Sequence, residues 1–223
     1  MKNLLLFLVF VCTLSLPCWG NPVPFSPIVR NYSVLDYNAG NENWAVAQDG
    51  RGVMYFGNNS GLLRYDGSRW KLFPLPASGI VRAVYVASDG RIYVGSFEEF
   101  GYFEENDLNL LEYHSLKDQV KGFNFHNDEI WTIVEQGGNI VFQSFGSYFI
   151  YDGTTTKGVR CHELPLNLFR VGDTVYSQLI NAGVCVFTGD RFTPLISRQE
   201  LGNSDVLAGL PYPGGMLLLT RNS

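Results

Sequence analysis

The sequence predicts an all-β chain that forms an incomplete β-propeller of about four four-stranded blades and the start of a fifth. Three observations lead to this prediction. Aromatic residues make up 14% of the 223 residues and glycine occurs 24 times, a composition suited to short strands separated by tight turns. A sequence motif recurs with a spacing near 40 residues, which is typical of propeller blades. Helical periodicity, by contrast, is hard to find.

The repeat is clearest between residues 44–73 and residues 131–160. The first copy reads WAVAQDGRGVMYFGNNSGLLRYDGSRWKLF and the second reads WTIVEQGGNIVFQSFGSYFIYDGTTTKGVR. Residues 84–106 form another copy, and residues 171–192 form a weaker one. With one gap, the alignment of the first two copies matches Trp44 with Trp131, Tyr55 with Phe142, and Asp66-Gly67 with Asp152-Gly153.

The first copy divides into strands and turns according to simple rules. Residues 44–48 form a short apolar strand, and Asp49-Gly50-Arg51-Gly52 is a turn in which glycine supplies a positive φ. Three more strands follow within the same copy, at residues 53–57, 61–65 and 69–73. Such a blade has no closed core of its own, so packing against neighbouring blades must stabilise it. The predicted blades span roughly residues 36–75, 80–116, 129–165 and 168–196, with the next beginning at 205 and continuing to 223.

The amino terminus has the pattern of a secretory signal. Lys2 precedes an apolar run from Leu4 to Leu16, and Cys18 and Gly20 place small side chains at the expected cleavage positions. A retained membrane anchor would need about 20 apolar residues, which is longer than this run. We therefore expect residues 1–20 to be removed, leaving residues 21–223 as a periplasmic or secreted chain without a transmembrane segment.

The carboxyl terminus repeats part of a blade. Residues 215–223 (GMLLLTRNS) align with residues 52–60 (GVMYFGNNS), and the sequence stops where the first copy continues into its third strand. An arc of blades would leave apolar faces and strand edges open to water. We therefore expect further blades, or a partner chain, to complete the fold; a truncated gene is the alternative.

Charge and cysteine content exclude several classes of function. The formal net charge is −5, so the chain lacks the basic surface that holds a phosphate backbone, and we expect no direct contact with nucleic acid. Cys161 and Cys185 are the cysteines left after signal removal. One pair of cysteines is not a disulfide framework. We favour the interpretation that both cysteines are small apolar side chains over the interpretation that they form a disulfide bond.

No catalytic, cofactor-binding or metal-binding constellation can be identified in the sequence. The three histidines are scattered without the spacing of a zinc site. A group of carboxylates surrounds an aromatic segment near residue 100 and is interpreted as a solvated acidic loop or hairpin. The histidines are His114, His126 and His162, and the carboxylates are Glu98, Glu99, Glu104, Glu105 and Asp107.

The repeats resemble a known family. The pattern W-A-V-A-Q-D-G-R-G-x-M-Y-F-G-x-x-x-G-L-x-R-Y-D-G at 44–67 resembles the two-component-regulator propeller repeat, typical of Bacteroidetes periplasmic sensors. The run I-V-F-Q-S-F at 140–145, followed by Tyr151-Asp152-Gly153, is similar to the same group. The resemblance covers roughly residues 28–223. In that family such propellers precede an immunoglobulin-like domain, a membrane-spanning helix and a cytoplasmic output, either a histidine kinase or a LuxR-type helix-turn-helix.

The resemblance implies an input role for this chain. Such a segment senses an extracytoplasmic ligand, often a glycan breakdown product, and passes a conformational change inward. It does not imply phosphotransfer or DNA binding by these residues. Two other functions remain open from the residues alone: a secreted polysaccharide lyase or hydrolase, and an interaction scaffold or non-functional gene fragment.

Topology gives a small set of candidate ligand-binding residues. Propeller ligands usually bind at the mouth of the channel or in a cleft between domains. An oligosaccharide would be recognised there by aromatic faces together with amide and acidic groups. The residues that come just before or at the start of predicted inner strands are Glu42, Asn43 and Trp44, then Arg82, then Asp128 and Glu129. Packing is the favoured role for Trp44 and Trp131 on the sequence alone, because they occupy equivalent repeat positions.

Overall fold

The computed structural model describes residues 28–76, 79–189 and 191–221. The predicted signal peptide, residues 1–20, lies outside the described residues. The chain divides into two compact units, one ending at Tyr32 and one beginning at Ser33. In the described part of the first unit, the Arg30 guanidinium lies 4.8 Å from the centroid of the Tyr32 ring. All elements below belong to the second unit.

Four four-stranded antiparallel sheets follow one another along the chain, and a two-stranded sheet follows them. Sheet 1 contains β1 (Asn43–Gln48), β2 (Met54–Asn58), β3 (Gly61–Tyr65) and β4 (Trp70–Phe73). Sheet 2 contains β5 (Ala83–Val86), β6 (Ile92–Gly95), β7 (Phe100–Glu105) and β8 (Leu111–Ser115). Sheet 3 contains β9 (Thr132–Gln136), β10 (Asn139–Gln143), β11 (Ser147–Tyr151) and β12 (Thr156–Arg160). Sheet 4 contains β13 (Pro165–Val171), β14 (Thr174–Leu179), β15 (Gly183–Phe187) and β16 (Phe192–Ile196), and sheet 5 contains β17 (Asp205–Tyr212) and β18 (Gly215–Arg221).

Helical structure is minor in this unit. A single-turn helix, α1 (Val34–Tyr37), precedes sheet 1, and a short 3-10 helix (Lys117–Gln119) follows sheet 2. Within the described ranges, no helix combines the length and the apolar character that a membrane crossing requires.

The sheets are arranged as propeller blades. In every sheet the spatial order of the strands is their order in the chain, and the first strands of successive sheets contact one another, β1 with β5, β5 with β9, β9 with β13, and β13 with β17. The first strands therefore line the axis and the later strands point outward. The prediction of an all-β, incomplete propeller is confirmed.

The core lies between the sheets, because no single sheet encloses one. Each sheet is apolar on both faces, and each pair of neighbouring sheets shares a cluster of buried side chains. Tyr55 and Val94 are among those buried between sheets 1 and 2, and Phe100 and Phe142 between sheets 2 and 3. Further clusters lie between sheets 3 and 4 and between sheets 4 and 5. Burying one large apolar side chain stabilises a fold by about 1.5–3 kcal/mol, so the fold's stability depends on stacking.

Glycine permits close approach between the first three sheets. A Cβ built on Gly57 would lie 2.6 Å from the carbonyl oxygen of Val81, and one built on Gly95 would lie 2.6 Å from the Cβ of Ile130. Next to these glycines, the backbone N–H of Val81 donates to Asn58 O (3.1 Å). The backbone N–H of Ile130 likewise donates to the carbonyl oxygen of the residue after Gly95 (3.0 Å). A side chain at either glycine would push the neighbouring sheet away.

Buried glutamines replace these glycines in the later sheets. Gln143 in β10 donates from Nε2 to Pro165 O (2.8 Å), and its Oε1 accepts from the backbone N–H of Leu168 (2.8 Å). Gln178 in β14 binds the next sheet in the same way, donating to Ser204 O (3.0 Å) and accepting from Val206 N (2.6 Å). Each amide therefore satisfies one backbone acceptor and one backbone donor across a blade junction.

The structure corrects one position of the repeat alignment. Tyr55 faces the following sheet, but Phe142 belongs to the cluster shared with the preceding sheet. Val141 faces forward instead, so Val141 is the structural counterpart of Tyr55. Because successive strand residues point to opposite faces, an alignment that is wrong by one residue exchanges the two sides of the blade.

Replacing Gln143 by alanine should destabilise the propeller strongly. The change leaves the Pro165 carbonyl and the Leu168 N–H buried without a partner, and each such group costs about 1–3 kcal/mol. We expect the free energy of unfolding, measured by urea denaturation, to fall by about 2–4 kcal/mol. The matched control is Gln199→Ala at an exposed position, which should change it by less than about 0.5 kcal/mol. Equal effects of the two substitutions would contradict the role assigned to Gln143.

Candidate ligand-binding site at one end of the propeller axis

Polar and aromatic residues in the loops and at the starts of the first strands converge at one end of the sheets. In an antiparallel sheet that runs in chain order, the start of the first strand and the loop joining the second and third strands lie at the same end. We call this the upper end. In sheets 1 to 3 it is formed by residues 42–44 and 59–60, residues 82 and 96–99, and residues 128–131 and 144–146.

Arg82 lies at the centre of the upper end and connects three sheets. Its guanidinium carbon is 3.8 Å from the ring centroid of Trp44 in sheet 1 and 5.2 Å from that of Trp131 beside sheet 3. Its Nε donates to Glu129 Oε1 at 2.7 Å. The Arg82 side chain is 15% exposed and that of Glu129 is 23% exposed. Partial burial strengthens a cation–π contact and an ion pair relative to exposed ones.

Trp44 is held in place by a short chain of hydrogen bonds. Its indole Nε1 donates to Asn59 Oδ1 (2.7 Å), and Asn59 Nδ2 donates to Glu42 Oε2 (2.9 Å). The ring nevertheless remains 44% exposed. Trp131 meets it edge to face, with 6.5 Å between the ring centroids. The two tryptophans and Arg82 thus form a preoriented aromatic and cationic surface.

Four of the six predicted residues belong to this connected cluster, namely Glu42, Trp44, Arg82 and Glu129. Asn43 has a supporting place: its Oδ1 accepts from the buried Asn58, which also donates to Glu42 O. Packing with Arg82 fixes the rings but leaves much of their surface open. The role of these residues in binding a ligand stays a prediction.

Asp128 lies apart from the cluster, inside the protein. Its carboxylate accepts from Ser144 Oγ (2.8 Å) and from the backbone N–H of His126 (2.9 Å), and it pairs with Arg160 at 3.2 Å. Burial opposes its ionisation, but hydrogen bonds from His126, Ser147 and Ser144 and the charge of Arg160 outweigh burial and lower the pKa of Asp128. The residue ties the upper loops together instead of facing a ligand.

Two exposed phenylalanines at the upper end were not among the residues predicted from the sequence. Phe97 and Phe145 are both mostly exposed, and the Phe145 ring lies 5.6 Å from that of Trp131. Phe97 forms a β-bridge with Glu129. A signal was present in the sequence: the dipeptide Ser-Phe follows the second strand in both sheet 2 and sheet 3.

The loop carrying Phe97 has unusual backbone geometry. Glu98 and Asn127 both adopt positive φ values, 47° and 55°, which non-glycine residues seldom occupy. Two hydrogen bonds join the loop of Glu98 to the loop of Asn127. Asn127 N donates to Glu98 Oε1 at 2.9 Å, and Glu98 N donates to the carbonyl oxygen of Asp128 at 2.9 Å. The mutual bonds fix the loop beside Glu129.

The opposite end of the sheets carries a cavity of about 500 Å³ with charged walls. Its arginines are already paired: Arg51 contacts Glu105 at 3.0 Å, and Arg91 contacts Glu104 at 3.4 Å. The hydrogen bond to Glu105 is the main reason that the pKa of Arg51 is raised. Across the described residues, no group of three or more histidine, cysteine or acidic side chains is placed to hold a metal ion.

A second cavity, of about 460 Å³, lies between sheets 3 and 4 and is lined in part by Cys161 and Cys185. Both cysteines are free thiols. Burial raises the pKa of Cys161 to about 11 and also raises the pKa of Cys185. Both thiols therefore stay protonated near neutral pH and act as small apolar side chains.

Comparison with known proteins places the fold. No protein-family model matches the chain, and no curated protein sequence matches it. Among solved structures, the chain is similar to the extracellular domain of a putative one-component system from B. thetaiotaomicron, at 15% identity and a TM-score of 0.58. That match covers 80% of this chain and 25% of the other.

Two further solved structures share the same architecture. A catalytically inactive virginiamycin B lyase from Staphylococcus aureus matches with 10% identity and a TM-score of 0.60, over 80% of this chain and 63% of the lyase. YCF48 bound to D1 peptide matches with 14% identity and a TM-score of 0.51, over 89% of this chain and 64% of that protein. The chain thus spans a quarter of that extracellular domain and less than two thirds of the lyase. These similarities establish the propeller fold.

Replacing Asp128 by asparagine should weaken the acid sensitivity of the fold. A carboxylate whose pKa is lowered in the folded state contributes stability above its unfolded value of 3.8. This stability is lost as the pH falls through the folded value. We expect urea denaturation to show a lower free energy of unfolding for the variant at pH 7. The difference from wild type should shrink between about pH 5 and pH 3.

The control for this measurement is Asp107→Asn, at an exposed turn. The free energy of unfolding of this control should follow that of wild type at pH 7 and between about pH 5 and pH 3. A constant difference between Asp128→Asn and wild type across the whole pH range would contradict the assignment.

Proposed function

We propose that this chain is a non-enzymatic, extracytoplasmic ligand-binding module, the input segment of a membrane-bound signalling or transcriptional regulator, and that it binds a glycan-derived ligand at the upper end. The observation that carries the proposal is the cluster of Trp44, Arg82, Glu129 and Trp131. It sits where the innermost strands of three sheets begin. Sites of this kind recur at the mouths of β-barrels and at domain interfaces.

The chemistry of the cluster suits a sugar. The exposed faces of Trp44 and Trp131 offer flat apolar surface for the C–H face of a pyranose ring. Around them lie carboxylate oxygens of Glu42 and Glu129, which accept hydrogen bonds, and the guanidinium of Arg82, which donates them. Sugar hydroxyls do both, so they can be satisfied on either kind of group.

The environment of the acidic groups favours binding over catalysis. Glu129 accepts a hydrogen bond from Arg82, and Glu42 accepts one from Asn59. Both carboxylates are thus committed to holding the site together, whereas a glycosidase needs one free to protonate the leaving group and another to act as base or nucleophile. The three histidines are all exposed, and none has a hydrogen bond or ion pair to the cluster.

Two observations support the location and the regulatory role. The secretory pattern of residues 1–20 and the fold similarity to an extracellular domain of a bacterial regulator both favour an extracytoplasmic input segment. The output that would receive the signal, a kinase or a helix-turn-helix, is implied only by the repeat resemblance described above.

Titration of the mature chain with cello-, malto-, xylo- and laminari-oligosaccharides tests the proposal. A bound member of this panel at a hundred times its Kd should add about 2.7 kcal/mol of stability, visible as a rise in Tm. Trp44→Ala and Arg82→Ala should remove this rise. Leu108→Ala, an exposed apolar residue in the turn between β7 and β8 at the other end of sheet 2, should leave it unchanged.

Mass spectrometry of the same mixtures separates binding from catalysis. The module should return each oligosaccharide intact after prolonged incubation. Accumulation of shorter or unsaturated products would instead assign the chain to the polysaccharide-degrading enzymes.

A further inference from the structure

We propose that the upper site is extended and takes a linear oligosaccharide, with Phe145 forming a subsite remote from Arg82. The inference rests on the proposed function and deepens it by naming the form of the ligand. Its starting point is a row of exposed aromatic rings, Trp44, Trp131 and Phe145, that crosses from sheet 1 to sheet 3.

The row is continuous. The Trp44 and Trp131 centroids are 6.5 Å apart, and the Trp131 and Phe145 centroids are 5.6 Å apart. The three side chains are 44%, 36% and 57% exposed respectively. Contiguous exposed apolar surface with a polar rim is uncommon on a soluble protein and marks interaction sites.

Packing does not account for Phe145. Its ring contact among the described residues is with Trp131, and over half of its surface faces water. The side chain stands on the loop between β10 and β11, where burial would be expected to pull a phenylalanine inward.

Hydrogen bonds fix the backbone of the loop that carries Phe145. The backbone N–H of Ser144 donates to Ser147 O (2.8 Å), and Cys161 N donates to Gly146 O (2.9 Å). The hydroxyl of Ser144 is bound to the buried Asp128. A loop whose backbone is fixed before binding loses little conformational freedom when a ligand stacks on the ring it carries.

The chemistry along the row selects the ligand. At the Trp44 end, Arg82, Glu42 and Glu129 supply donors and acceptors, and at the other end Phe145 adds a further exposed ring beside Trp131. A chain of sugar rings presents apolar faces at regular intervals with hydroxyls at its edges. It can therefore stack on successive rings while one unit makes the polar contacts.

The test measures affinity against ligand length. Isothermal titration of the mature chain would use glucose and the malto-, cello-, xylo- and laminari-series up to hexaose. Phe145→Ala should weaken binding of the long members about three- to tenfold, as expected for loss of one aromatic contact. The substitution should leave the affinity for the shortest sugar that binds unchanged. Phe145→Tyr should restore long-chain affinity, and Leu108→Ala should match wild type at every length.

The outcomes separate this inference from the proposed function. If sugars bind and Phe145→Ala has no effect at any length, the remote subsite is wrong while the sugar-binding function stands. If Phe145→Ala weakens the shortest ligand as much as the longest, Phe145 belongs to the primary site and the inference is also wrong. If no member of the panel binds wild type, both proposals fail.

Discussion

The burial of sheet faces by neighbouring sheets is the constraint on which the rest of this structure depends. A four-stranded sheet with two apolar faces is unstable alone, so each of the middle sheets 2, 3 and 4 supplies half of two cores. Close approach at the junctions then becomes a requirement. The chain meets it in two ways: with glycine where backbone touches backbone (Gly57, Gly95) and with a buried amide where a gap must be bridged (Gln143, Gln178).

Stacking also creates the candidate site. Because the first strands of the sheets meet at the axis, the residues that begin them converge although they are distant in sequence. Arg82 follows Trp44 by 38 positions and precedes Glu129 by 47, yet the three side chains touch. The guanidinium of Arg82, which precedes sheet 2, contacts a residue of sheet 1 and residues just before sheet 3. A ligand that displaced this guanidinium or strengthened its contacts would therefore alter the relation between those sheets. This gives an input module a physical route from binding to shape change.

The sequence was sufficient for the fold because its repeat is marked by turns. Asp-Gly and other glycine positions recur at corresponding places in the repeats, and their geometry is local. Side-chain direction was harder to predict. The alignment of residues 131–160 with residues 44–73 displaced Phe142 by one position, which in a strand means the opposite face. Asp128 and Glu129 are adjacent acidic residues before an inner strand, and composition cannot tell that one turns inward to Arg160 while the other meets Arg82. Phe145 was missed because its sequence signal, a Ser-Phe dipeptide repeated after two strands, is short and does not indicate that the side chain is exposed.

The central claim is that ligand binds at the Trp44–Arg82–Trp131 surface, and tryptophan fluorescence tests it most directly. The mature chain contains Trp44, Trp70 and Trp131, so in a Trp70→Phe variant every remaining tryptophan lies at the site. An oligosaccharide that raises the Tm of this variant should change its fluorescence saturably, with the same Kd as calorimetry. Stabilisation by the ligand with unchanged fluorescence would place binding elsewhere and contradict the account.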